Sequence, residues 1–186
     1  ETQIKFDLAI ISPNDPLAMI NLVVECKKLR IPYIFDPGQQ IPRLESKEIL
    51  KCIDGASVVI GNDYEIELIK EKTGLNEFRL LDKVEKALVI TKGEKGSVIT
   101  THDELYTIPA VKANKVVDPT GAGDAYRAGL IKGILGNLDW KLSGQLGALS
   151  AVYAVEKYGT QEHAHTQREF RSRYETTFGG FPEIAI

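Results

Sequence analysis

The chain has 186 residues, 26 acidic against 23 basic for a net charge of −3, and is 43% apolar and 26% charged. This balance reads as one globular domain over 1–186 and argues against a nucleic-acid module, which would carry a basic excess. No apolar run approaches the roughly 20 residues of a membrane span. The two cysteines, Cys26 and Cys52, fit neither a disulfide framework nor a zinc site. They read as reduced, buried side chains, and a cytoplasmic home follows.

The chain opens Glu1-Thr2-Gln3-Ile4 and runs at once into an apolar strand, Ile4 to Ile11. That reads as a start in mid-fold: a fragment, a cleaved product or a partly ordered chain. Ser12-Pro13-Asn14-Asp15-Pro16 supplies turn and N-cap chemistry. Apolar positions Leu17, Ile20, Val23, Val24 and Leu29 then predict a helix. Pro32 to Phe35 reads as a strand closed by a turn at Pro37-Gly38, and Glu45 to Ile53 as a helix. Ala56 to Ile60 is a strand ending at Gly61-Asn62, Tyr64 to Lys72 an amphipathic helix stopped by Gly74, and Ala87 to Thr91 a fourth core strand. Such alternation with short connections predicts βαβ units and a mainly parallel sheet. Ligands of such sheets sit beyond the C-terminal strand ends, which singles out Asn14, Asp36, Asn62 and Thr91 to Gly96.

From Gly96 to Ile108 a hairpin is predicted, with its turn at Thr101 to Glu104. Pro109 to Thr120 is a loop. A helix begins at Gly121 and breaks near Gly136-Asn137, a second spans Trp140 to Tyr158, and a polar third runs from Thr166 to Thr176. Trp140 is expected to anchor its helix in the core. Lys27, Lys28 and Arg30 read as the solvated end of a helix, and Ala148, Ala151 and Ala154 as a close-packing face. His163 and His165 stand two apart without a third ligand nearby, which is poor metal-site spacing.

The most informative run is Asp118-Pro119-Thr120-Gly121-Ala122-Gly123-Asp124. Two glycines before a helix let a ligand approach main-chain N–H groups, and the helix dipole favours an anion there. A carboxylate in such a cradle repels phosphate, unless Asp124 serves as the base that removes a hydroxyl proton while the cradle holds the phosphoryl group. The plain alternative is a tight turn followed by a first-turn acid favouring the dipole. No Walker loop occurs, and the glycines fall too late for a dinucleotide fingerprint.

These residues resemble the C-terminal signature of the ribokinase-like (PfkB) carbohydrate kinases. The resemblance implies a three-layer αβα fold with a mainly parallel sheet, here lacking the N-terminal lid region. It implies Asp124 as catalytic base, Gly121, Ala122 and Gly123 as an anion hole, and Asp118 as part of a monovalent-cation (K⁺) loop. Asn62-Asp63-Tyr64-Glu65 resembles the family N-x-x-E motif, which implies that Asn62 contacts nucleotide phosphate and Glu65 orients hydrated Mg²⁺; an N-cap with a solvated Glu is the alternative. Thr91-Lys92-Gly93-Glu94-Lys95-Gly96 resembles the nucleotide loop, implying contacts from Thr91, Gly93 and Gly96. Ile11 to Pro16, Phe35 to Pro42, Asp124 to Gly129 and Tyr158 to His163 resemble the bacterial adenosine kinase-like branch.

An ATP- and Mg²⁺-dependent kinase acting on adenosine, a related nucleoside or a sugar such as ribose is therefore expected. Its partners are small molecules, not nucleic acid or membrane, with a homodimer or a missing N-terminal segment as further expectations. The alternatives are a truncated nucleotide-binding module without transfer activity and, more remotely, a dinucleotide-dependent oxidoreductase.

Overall fold

The structure, a computed structural model, describes residues 5–181. Six strands occur among the described residues, and the chain divides into two compact units. The first unit runs up to Thr91 and takes in Thr100–Leu105; the second takes Lys92–Ile99 and the chain from Tyr106 onward.

In the first unit, strands β1 (Ala9–Ile11), β2 (Tyr33–Phe35), β3 (Val58–Asn62) and β4 (Ala87–Thr91) pair in parallel, as the alternation predicts. Helices α1 (Pro16–Leu29), α2 (Ser46–Ile53) and α3 (Asp63–Thr73) form the connections. Alternate strand residues (Ile11, Tyr33, Phe35, Val59, Leu88, Ile90) form one core with Met19, Val23, Ile49, Ile53, Ile66 and Ile69 from the helices. The period of two in the strands meets the apolar stripes of the helices, which makes these segments a sheet with helices over one face. Cys26 and Cys52 are buried free thiols in the same core, and burial pushes Cys52 up to about 11.

Three details depart from expectation. The first strand begins only at Ala9: β2 pairs from Tyr33 onward, and Pro32, which has no N–H, accepts the Ala9 N–H through its carbonyl. Phe6 is exposed, and Ile4 lies outside the described residues. After β2 the chain makes a 3₁₀ helix, Gly38–Arg43, instead of a simple turn. A short helix, α4 (Glu77–Leu81), sits where none is predicted, capped by Asn76 Oδ1 on the Arg79 N–H at 3.0 Å.

β5 (Ser97–Thr101) and β6 (Leu105–Ile108) form the predicted hairpin, its turn closed by the Thr101 N–H on the Glu104 carbonyl at 2.8 Å. In the second unit, helices α5 (Ala122–Leu135), α6 (Trp140–Val155) and α7 (Gln167–Phe178) follow. Trp140 is half-buried at the first turn of α6 and not enclosed in the core; Leu146, Leu149 and Val152 anchor that helix instead. Glycines bring α5 and α6 together: a Cβ on Gly133 would stand 2.5 Å from Ser143 Oγ, and one on Gly147 2.9 Å from the Tyr126 carbonyl. No helix among the described residues is long and apolar enough to cross a membrane.

Candidate active site

At the C-terminal edge of the first unit's sheet, Asn62 ends β3 beside Thr91 at the end of β4, the two residues in register. Asn62 is also the N-cap of α3: its Oδ1 accepts the Glu65 N–H at 2.8 Å, and Glu65 Oε2 accepts the Asn62 N–H at 2.7 Å. This reciprocal capping box satisfies two donors that the helix would otherwise leave open. One oxygen of Glu65 is therefore committed to the cap, and Gly61 leaves room for it, since a Cβ there would lie 3.2 Å from Oε2. The two readings of N-x-x-E are compatible: the cap fixes Glu65 at the strand end, where a single half-buried carboxylate suits an ion that keeps most of its water.

In the second unit, Gly93 and Gly96 both take positive φ, 56° and 85°. Gly93 stands open, with nothing within 4 Å of where a Cβ would be, whereas a Cβ on Gly96 would run into the Ile108 carbonyl and the Ala110 nitrogen. Gly93 is thus free for a ligand, and Gly96 is a glycine because the hairpin backbone passes against it.

The first turn of α5 brings the central motif together. Gly121, at φ 81°, is its N-cap and offers no side chain, so the capping task falls to the backbone or to a ligand. The Ala122 N–H donates to the Pro119 carbonyl at 3.2 Å. Of the three predicted anion-hole residues, Ala122 therefore has its amide engaged within the chain. The first-turn groups of Gly123 and Asp124 stand at the helix positions where a positive dipole end faces outward. Asp124 itself is exposed, its side chain 82% accessible, and Arg127 Nη1 donates to its Oδ1 at 3.4 Å.

Asp118 acts as a latch. Its Oδ1 accepts the Thr120 N–H at 2.9 Å and its Oδ2 the Gly159 N–H at 3.0 Å. The Thr120 side chain and amide, with Gly159, hold its carboxyl below the usual carboxylate range. The segment before α5 is thereby tied to the one after α6, and Thr160 packs against Gly121, its Cα 3.0 Å from where a Cβ would be. A carboxylate with both oxygens turned to backbone donors is a loop organiser first; a cation would have to share it.

Behind this turn, Glu156 accepts two bonds from Arg173, at 2.8 and 2.7 Å, and one from the Asn114 N–H. Arg173 holds Glu156 low and lies over the Tyr153 ring at 4.9 Å. His165 stacks on Tyr153 at 4.4 Å and on Phe170 at 4.9 Å, a packing role. Neither Arg127 nor Thr160 is picked out by the motif. Both lie in the runs, Asp124 to Gly129 and Tyr158 to His163, that resemble the adenosine kinase-like branch, and Arg127 is also one helical turn from Asp124.

The chain matches the description "pfkB family carbohydrate kinase" over residues 3–167 and belongs to that family. Within it, the chain is similar to nucleoside kinases. It is 39% identical to the nucleoside kinase of Methanocaldococcus jannaschii over 143 residues, 76% of this chain and 46% of the relative. It is 29% identical to the ribokinase of Lactococcus lactis subsp. lactis over 161 residues, 86% of this chain and 51% of the relative. The nucleoside kinase of Burkholderia thailandensis, solved in complex with ADP-inosine, superposes with a TM-score of 0.94 at 38% identity, covering 100% of this chain and 57% of that one. The chain spans about half the length of the curated relatives it matches.

Proposed function

We propose that the protein transfers the γ-phosphate of ATP to a hydroxyl of a nucleoside, adenosine or inosine before a free sugar. The observation that carries this reading is Asp124: an exposed carboxylate in the first turn of a helix whose N-cap is glycine, in a chain of the PfkB family. Asp124 takes the proton from the acceptor hydroxyl. That oxygen bonds to the γ-phosphorus as the bond to the β-phosphate oxygen breaks and ADP leaves. Gly121 and Gly123 let the phosphate approach the helix start, where the N–H groups and dipole stabilise charge on its moving oxygens. Asn62, Thr91, Gly93 and Gly96 form the nucleotide contacts in this reading. Mg²⁺ would be held through water by Glu65 and neutralise phosphate charge when bound. Asp118 would lend an oxygen to a monovalent cation while latching its two loops. The nucleoside preference leans on the similarity to nucleoside kinases, one solved with ADP-inosine.

In the complete gene product, D124N should lower kcat by about 10²- to 10⁴-fold with nucleotide binding retained. Near-normal turnover would remove Asp124 from the chemistry. Adenosine, inosine, cytidine and ribose compared by kcat/KM decide the acceptor. A second reading is a nucleotide-binding module without transfer. Calorimetric nucleotide binding with no phosphotransfer to any of the four acceptors would favour it.

A further inference from the structure

Asp124 and Arg127 are an unequal pair. The Asp124 side chain is 82% exposed and that of Arg127 16%. The guanidinium is the enclosed member and the carboxylate the solvent-facing one. Arg127 lies beside Gly123: a Cβ at Gly123 would stand 2.7 Å from Nη1, so another residue there would displace the end of the Arg127 side chain. From there Nη1 donates to Asp124 Oδ1 at 3.4 Å. A pair with one member this exposed contributes little to stability. Its consequence is geometric, because an exposed Asp alone samples several side-chain rotamers.

We infer that Arg127 is the positioning residue of the reaction: it anchors Asp124 Oδ1 over Gly123 and thereby presents Oδ2 to the acceptor hydroxyl. This rests on the base role proposed for Asp124. It also gives Gly123 a second task. The glycine admits phosphate to the helix start and makes room for the guanidinium that steers the base. Held in place, the carboxylate needs no search for its reactive orientation when the acceptor arrives. Arg127 makes no contact with the reacting atoms in this scheme, so its loss should act on turnover and leave binding alone.

The test uses the complete gene product and the variants R127A, R127Q and R127K. R127A and R127Q should lower kcat by roughly tenfold to 10²-fold, with KM for nucleotide and acceptor moving less than about threefold. R127K keeps the charge on a different shape and should recover part of the loss. If R127A does not fold, R127Q and R127K carry the comparison, with melting curves as the control. D124N separates the two layers. Normal turnover in D124N overturns the base role itself. A slow D124N beside Arg127 variants with wild-type kcat, or with a loss confined to KM, overturns the positioning role alone.

Discussion

Ser97 and Tyr126 show how much a single buried contact decides in the helix that carries the base. The two hydroxyls lie 2.7 Å apart, both residues buried, and burial pushes the Tyr126 phenol up to about 12. Tyr126 stands two positions after Asp124, so its ring and hydroxyl set the rotation of α5 against β5 within the second unit. Y126F would leave the Ser97 hydroxyl buried without this partner, at a cost of about 1–2 kcal/mol. S97A/Y126F, which removes both hydroxyls, should recover most of that cost; chemical denaturation of the four species measures it, and a double variant no better than Y126F would refute the account. At this scale the sequence was legible where a residue's chemistry is unusual for its place. An Asp behind two glycines stands out, as does Asn followed by Glu one turn later. The structure then assigns Asn62 and Glu65 to a capping box, which composition alone could not separate from a ligand motif. Ser97 with Tyr126, like Thr160 against Gly121, joins residues distant in the chain, and nothing local announces either contact.

Elements were legible in proportion to their length and regularity. The helices α1 and α3 follow from periodicity and end signals, because many residues repeat the same message. The five-residue α4 is too short to show a period, and its sign was a lone Asn at the cap. The limits of β1 depend on its partner, since pairing starts where β2 starts. The glycines of α5 and α6 read as weak helix residues on propensity, yet they are what lets the two helices meet. A Cβ on Gly129 would fall 2.6 Å from Ser150 Oγ and against the Leu146 carbonyl. Ala is the better helix former by about 1 kcal/mol. In G129A the overpacking, about 1–3 kcal/mol or more against backbone that cannot step aside, should outweigh that gain. The variant is expected to melt lower than wild type. An unchanged or raised melting temperature would mean that α5 and α6 are not in the close contact described.

Over the whole molecule, the two units differ in how their ionisable groups respond to folding. In the second unit Asp118, Glu156, Glu169 and His165 are shifted downward, while Tyr126, Tyr153, Arg173 and Tyr174 are shifted upward. Hydrogen bonds from Thr120, Arg173 and Thr166 lower the three carboxyls, and burial beside His163 lowers the imidazole. Among the described residues of the first unit the resolved shifts are upward, on Cys26, Tyr33, Lys47, Cys52 and Lys70. A group whose folded pKa is lowered adds stability above its ordinary value and gives it up as pH falls through the folded one. His165 therefore begins to weaken the second unit below its ordinary value of 6.5, and the carboxyls follow below 4.5 and 3.8. The raised thiols, phenol and lysines of the first unit contribute fully throughout the acid range and lose their contribution only in alkali. Sequence alone offers no hint of this asymmetry, since it depends on which carboxylates find donors. The second unit should thus open first in acid. Hydrogen exchange followed by mass spectrometry between neutral pH and about pH 4, corrected for intrinsic rates, should show α7 and the segment around Asn114 losing protection while β2, β3 and β4 keep theirs. Loss of protection in the strands first, or in both units together, would show that these carboxylates and the histidine do not govern acid stability.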